Sequence, residues 1–256
     1  MDAVITAGGT PKPGKPLYKY TQGRPKALLE FRGKPLVQHV LDALGGAEQI
    51  ERVVLVGLDE SCGVSCAKPL AFVPNQGSML ENIRTGMEKV LELNPDAEYA
   101  LIGVSDSPLL AAELLDWAVE SALETRHDAY YYLLKRATFE TRFPGSNRKY
   151  VSIKDMQVMG GSVGIMATRL VDNDDDIWGK LIAARKSAVK GAMLFGFSNL
   201  VKLLLRRITV AEAVAVFQDR VGIRGRAIFC PHAELAYDVD LDEEYEYLLQ
   251  HPEAVG

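Results

Sequence analysis

An α/β protein, with a twisted, mostly parallel mixed sheet flanked by helices, is what this 256-residue sequence predicts, on three grounds. Short β-rich runs at 3–7, 52–57, 70–73 and 99–104 alternate with stretches of helical period at 35–44, 78–93 and 110–125. Thr6 and Arg52 apart, the runs are apolar, as suits strands covered on both faces. Apolar residues make up 48% of the chain and charged ones 25%, enough to fill a large core and still coat it. No linker, repeat or low-complexity stretch divides the chain, so residues 1–256 are expected to form one domain with a helical insertion at roughly 172–221.

The first run, Ala3-Val4-Ile5-Thr6-Ala7, stops at Gly8-Gly9, where two residues without a Cβ let the backbone turn and bring its N–H groups up to an anion. Gly33-Lys34-Pro35 then opens a helix with Pro near its first turn, where the missing N–H costs nothing. Pro74-Asn75-Gln76-Gly77-Ser78 follows the third strand, and Ser78 with Glu81 makes a capping box for the next helix. The fourth strand ends in Ser105-Asp106-Ser107-Pro108, which sets a carboxylate at the mouth of the sheet, although Asp before x-Pro also serves as a plain turn.

Further strands are expected at 128–134 and 148–154, joined by a loop RATFETRFPGSN with a Pro-Gly turn signal, and at 162–167 after Gly160-Gly161. Helical patterns at 177–187, 192–206 and 210–220 precede a last strand at 226–230 and a helix from Glu243. The acidic run Asp172-Asn173-Asp174-Asp175-Asp176 reads as a solvated turn capping a helix, because Ile177 stands where a calcium loop needs Gly.

The net charge of −5 argues against a general nucleic-acid binder, which needs surplus Lys and Arg to neutralise phosphates. Any phosphate ligand must be met locally. Cys62, Cys66 and Cys230 are too few and scattered for a disulfide framework, and no apolar signal peptide precedes the first strand, so a reducing, cytoplasmic setting is expected. Cys62 and Cys66 lack a second Cys or His pair to complete a zinc site. Residues 191–208, GAMLFGFSNLVKLLLRRI, are interrupted by Asn199, Lys202, Arg206 and Arg207 and fall short of the ~20 apolar residues of a bilayer span. A buried helix is expected there, with a helix lying on a membrane surface as the alternative. Residues 9–15 have Walker A spacing up to Lys15, but Pro16 replaces the Ser/Thr that would hold Mg²⁺, and Pro11 and Pro13 delete amide donors. No G-x-G-x-x-G links a strand to a helix, so the dinucleotide fingerprint is absent too.

AGGT, a lysine in PKALLEF and the GKPLVQHVL helix, in that order, resemble the signature of the nucleotidyltransferase family. Its members include sugar-1-phosphate nucleotidylyltransferases and the molybdenum-cofactor (MobA-like) guanylyl- and cytidylyltransferases. The resemblance implies a single-domain nucleotide-diphospho-sugar-transferase fold, GT-A or Rossmann-like, and transfer of a nucleoside monophosphate from an NTP to a small phosphorylated acceptor, with pyrophosphate released. Ala7, Gly8, Gly9 and Thr10 match the phosphate loop and Lys26 the catalytic lysine. Asp106 matches the family's G-D-x-P aspartate with Ser105 in place of Gly, and Asp240 matches the second acidic position of D-x-D/N-T-P-E-D-Y. Together Asp106 and Asp240 would hold Mg²⁺, and two carboxylates with open positions suit that ion.

Asn75, Gly77 and Ser78 occupy the place of the base-contacting loop. Relatives carry an arginine after the glycines where this chain has Pro11-Lys12, so Lys12, Lys15 or Arg24 must replace that contact or it is lost. On the acceptor side Arg142, Arg148 and Lys149 beside aromatic residues suit an anion, with an exposed basic ribbon as the alternative. The family's G-G-N appears as Gly160-Gly161-Ser162, which makes Gly161 a further acceptor candidate. Two other classes stay open: a glycosyltransferase using an NDP-sugar, which normally shows a D-x-D where Ser105-Asp106-Ser107 has one carboxylate, and a non-catalytic nucleotide sensor.

Overall fold

The computed structural model describes residues 1–172, 178 and 196–252. Six strands run parallel to one another and bring their carboxyl ends to one edge: β1 (Asp2–Thr6), β4 (Arg52–Val56), β5 (Leu70–Val73), β6 (Tyr99–Val104), β7 (Ala129–Lys135) and β10 (Gly225–Phe229). The long β9 (Met156–Ala167) runs antiparallel between β6 and β7, and the short β8 (Val151–Ile153) folds back on it. The order is β10-β7-β9-β6-β1-β4-β5, with a separate two-strand hairpin of β2 (Glu30–Phe31) and β3 (Lys34–Pro35). The sheet is therefore mixed and mostly parallel, as its apolar runs predict. From β1 the chain moves outward to β4 and β5, then returns to β6 on the other side of β1. That reversal opens a crevice beyond the carboxyl ends of β1 and β6, where open α/β sheets bind ligands.

Helices cover both faces. Ala3, Ile5, Val53, Leu55 and Leu101 point one way, into a core with α2 (Leu36–Gly46) and α4 (Ala112–Leu123). Val4, Val54, Val56 and Ile102 point the other way and meet Ile83, Met87 and Val90 of α3 (Met79–Leu93), so every β1 side chain from Ala3 to Ile5 is buried. Burying an aliphatic side chain of this kind stabilises by roughly 1.5–3 kcal/mol. Gly86 lets α3 lie directly on β1, since a Cβ there would overlap Val4 Cγ1 and touch Val56 Cγ2.

The remaining helices are α1 (Tyr18–Thr21), α5 (Arg136–Arg142), α6 (Arg169–Asp172), α7 (Phe197–Leu204), α8 (Val210–Val221) and α9 (Asp242–Gln250). Ile208 and Val210, around the start of α8, pack on Ile153 and Val158 of the β8–β9 pair. The helical pattern expected at 177–187 lies, Trp178 apart, outside the described residues, as does most of the acidic run after Asp172 and the first part of the 192–206 pattern.

Four expectations need correction. The segment 136–142 is helix α5 and not a loop: Phe139 and Phe143, four residues apart, are both buried, the first stacked on Tyr237 and the second edge-on to it, which anchors one helical face. The strand expected at 148–154 shrinks to Val151–Ile153, because Arg148 turns inward to form ion pairs. Gly160 and Gly161 do not precede a strand but lie inside β9, where Gly160 leaves room for the Tyr131 hydroxyl and Gly161 for Leu235. Pro35 is the residue before α2 and closes the β2–β3 hairpin instead of sitting within the helix.

Candidate active site

The mouth of the crevice is built from chain segments far apart in sequence. At the end of β1, Ala7 donates to Val56 O at 2.7 Å, which turns Gly8 and Gly9 outward. Gly57, with φ of 109°, passes so close to Gly8 that a Cβ would overlap the Gly8 amide nitrogen. Gly9 O accepts from Lys26 N at 2.9 Å, and a Cβ on Gly9 would stand 3.2 Å from Lys26 Cε. The glycines thus seat the lysine as well as freeing amides. Thr10 is exposed beyond them.

Lys26 Nζ ion-pairs with Asp106 and, at 2.5 Å, with Asp240. Asp106 is held because Ser105 N donates to Thr6 O at 3.2 Å and Val239 N donates to Asp106 O at 3.0 Å. The segment carrying Asp238 and Asp240 therefore lies against the end of β6. Asp106 is buried, whereas the Asp240 side chain is 60% exposed. Burial pushes the Asp106 carboxyl up to about 6, against the pull of Lys26 and with a push from Asp238. For Lys26 burial opposes the charge, but Asp106 and Asp240 outweigh it and hold the ammonium protonated far above neutral pH.

Asp238 and Arg148 complete the cluster. Arg148 Nη1 donates to Asp238 Oδ1 at 3.0 Å and to Glu244 Oε1 at 2.7 Å, with its guanidinium over the Tyr237 ring. Glu244 in turn accepts from Asp240 N at 2.7 Å and Leu241 N at 2.9 Å. Burial raises the Asp238 pKa against the pull of Arg148. Arg148 is thus the acceptor-side residue that the structure joins to the carboxylates, and it does so as a buried strut. Arg142 pairs with Glu234 at 2.7 Å, Lys149 is exposed, and Gly161 packs against Leu235 and Tyr132.

Across the crevice, Asn75 Nδ2 donates to Gly8 O at 3.2 Å, while its Oδ1 accepts from Gly77 N at 3.0 Å and from Asn82 Nδ2 at 3.1 Å. Asn82 Oδ1 accepts from Gln76 N at 2.7 Å, so a buried amide on α3 holds the 74–78 loop from below. Ser78 caps α3 by accepting from Glu81 N at 3.3 Å. Gly57, Asn82, Asp238 and Asp242 are not among the site residues expected from the sequence. An Asn on the otherwise apolar buried face of α3 is the one sequence signal that could have marked Asn82. Asp242 Oδ1 accepts from Leu17 N at 2.6 Å, where Leu17 has left-handed φ of 64°, and so fixes the end of the proline-rich loop. Lys12, Lys15 and Arg24 are all exposed on or beside that loop.

The deciding comparison is with a family model described as the MobA-like NTP transferase domain, which matches residues 3–142. The chain belongs to the MobA-like NTP transferases. The matched span holds the glycine loop, Lys26, the 74–78 loop and Asp106, while Asp240 lies beyond it. Over 132 residues this MobA-like chain is 30% identical to ribitol-5-phosphate cytidylyltransferase of Streptococcus agalactiae, covering 48% of this chain and 52% of that protein. It thus spans about half the length of the curated relatives it matches. A hypothetical transferase from Thermus thermophilus is similar along nearly the whole chain, with 29% identity, a TM-score of 0.81, and 95% of this chain and 98% of that one covered. The fold is shared with 4-diphosphocytidyl-2C-methyl-D-erythritol synthase from Anaerococcus prevotii, at 13% identity and a TM-score of 0.56, with 98% and 95% covered.

Proposed function

We propose that this MobA-like protein transfers a nucleoside monophosphate from an NTP to a small phosphorylated acceptor, releasing pyrophosphate. The observation that carries this reading is the convergence of Asp106, Asp240 and Lys26 beside the glycine loop. The partial likeness to ribitol-5-phosphate cytidylyltransferases makes CTP with a polyol or sugar phosphate the first pair to test. We read the whole chain as one catalytic domain, because both its ends supply residues to the cluster.

The residues fit Mg²⁺. Asp106 and Asp240 present two carboxylates to a single ammonium, an excess of negative charge on oxygen donors alone. Among the described residues no group of three or more His, Cys, Asp or Glu is arranged to enclose a metal. That suits an ion held by one or two carboxylates that takes its other ligands from water and substrate phosphates. Bound there, Mg²⁺ would neutralise charge developing on the departing pyrophosphate.

The chain's own groups do the rest. Amides of Gly8, Gly9 and Thr10 line up on the triphosphate, and Lys26 brings a fixed positive charge to it. Lys12, Lys15 and Arg24 supply cations in place of the family's arginine. Asn75, Gly77 and Ser78 face the base from a loop fixed by Asn82. An acceptor phosphate is already an anion and attacks in line without a general base, so positioning and electrostatics carry catalysis. The test is pyrophosphate release with each NTP and a panel of polyol and sugar phosphates, with and without Mg²⁺. Lys26→Ala and Asp240→Asn should abolish release while the fold stays intact by circular dichroism. Metal-independent turnover, or wild-type rates in both variants, would overturn the proposal.

A further inference from the structure

Outside the crevice the most unusual surface is the tip that follows α7. The helix closes with Arg206 in the left-handed region at φ of 55°, its N–H donating to Leu203 O at 2.9 Å while Arg207 N donates to Lys202 O at 2.7 Å. Glycine is the unstrained choice for such a closure, yet arginine occupies it. Either side of the tip the chain is fastened inward: Leu203 packs with Ile153, Val158 and the fully buried Ile208. Between these anchors Leu204 is 82% exposed and Leu205 58%, with Val201 also exposed. Lys202, Arg206 and Arg207 are exposed among them. Lys202 pairs with Glu212 at 3.2 Å, whereas neither arginine has a carboxylate partner among the described residues.

The tip also has a definite place relative to the crevice. Lys154 N donates to Ile208 O at 2.8 Å, tying it to the β8–β9 turn. Just past that turn, in β9, Val158 lies opposite Lys135, the last residue of β7. Strands β6 and β7 both run antiparallel to β9, so the carboxyl end of β7 is on the same sheet edge as Asp106 and the glycine loop.

Charge selects the occupant. A second copy meeting this tip across a two-fold axis would set Arg206 and Arg207 against their own equivalents, a like-charge contact. A nucleic acid would leave two exposed leucines without a role. An anionic bilayer satisfies both sets: leucines enter the acyl boundary and arginines meet headgroup phosphates. The chain as a whole carries a net charge of −5, so attraction to such a surface must come from a local basic group like this one.

From this arrangement we infer that the 201–207 tip docks the protein on an anionic lipid bilayer, with the crevice edge of the sheet turned toward the membrane. The inference stands independently of the proposed reaction. Its test is sedimentation of the full chain with vesicles of phosphatidylcholine alone and of phosphatidylcholine with one third phosphatidylglycerol. Binding is expected only to the anionic vesicles and should weaken with added salt. Leu204→Ser/Leu205→Ser should abolish it, and Arg206→Gln/Arg207→Gln should weaken it about fivefold for each arginine removed. Both variants should keep the wild-type melting temperature, because the altered side chains are exposed. Equal binding to both vesicle types, none to the anionic ones, or unchanged binding in the variants would overturn the inference. So would a leucine-dependent dimer seen by sedimentation velocity without lipid.

Discussion

Replacing Asp106 with Asn should stabilise this protein while ending its proposed activity. The Asp106 carboxyl titrates near pH 6 in the folded chain against an ordinary value of 3.8, because burial outweighs the pull of Lys26. The folded state therefore holds a proton that the unfolded state has released between about pH 4 and pH 6. Stability contributed by this group falls as pH rises through that window and is flat above it. A shift of about two units, at about 1.4 kcal/mol per unit, amounts to roughly 3 kcal/mol lost by pH 7.5. Asn is close in shape to the protonated acid and does not ionise. Allowing about 1–2 kcal/mol for an amide imperfectly paired, Asp106→Asn should gain roughly 1–2 kcal/mol at pH 7.5 and nothing, or a loss of up to about 1 kcal/mol, at pH 4.5. Urea unfolding of both proteins at the two pH values, without Mg²⁺, reads the difference. An Asn variant less stable than wild type at pH 7.5 would refute the reasoning, since it would mean that the Lys26 pair more than offsets the burial of the charge.

Other consequences follow from the same packing. Arg148→Met leaves the buried Glu244 and the part-exposed Asp238 without their shared cation, and should cost about 3 kcal/mol in a thermal or urea melt. Gly86→Ala, which in an exposed helix would gain about 1 kcal/mol, should instead lose roughly 1–3 kcal/mol, because the new Cβ overlaps Val4. Asn82→Ala removes the strut beneath Asn75 and Gln76. If the proposed reaction is right, steady-state kinetics should show a KM for the NTP raised about tenfold, the value of one well-placed hydrogen bond of about 1.4 kcal/mol, with kcat little changed.

The strands at 52–57, 70–73 and 99–104 were legible to within a residue, because a short apolar run rich in Val and Leu that ends at a turn residue, Gly57, Pro74 or Ser105, has few alternatives to a buried parallel strand. The first half of the crevice was legible for the same reason: Gly8, Gly9 and Asp106 sit where such strands stop. Glycine misled at 160–161, where it admits Tyr131 and Leu235 instead of breaking the chain, and in 136–147, where Pro144-Gly145 hid the Phe139–Phe143 stripe of α5. The hairpin of β2 and β3 has two residues in each strand, too few to show any period. The pairing of Arg148 with Glu244 was out of reach in another way. It joins positions 96 residues apart, and nothing local to either marks the partner.

The joining of Val239 to the end of β6 bears on how the protein comes into being. Asp106 is made 134 residues before Asp240, and at about 5–20 residues per second that interval lasts roughly seven to twenty-seven seconds. During it the growing chain already has its glycine turn, Lys26 and Asp106, but neither the second carboxylate nor the Asp242 that fastens Leu17. A nascent chain thus holds one carboxylate and an unfastened loop, and the proposed site closes only when α9 emerges from the ribosome.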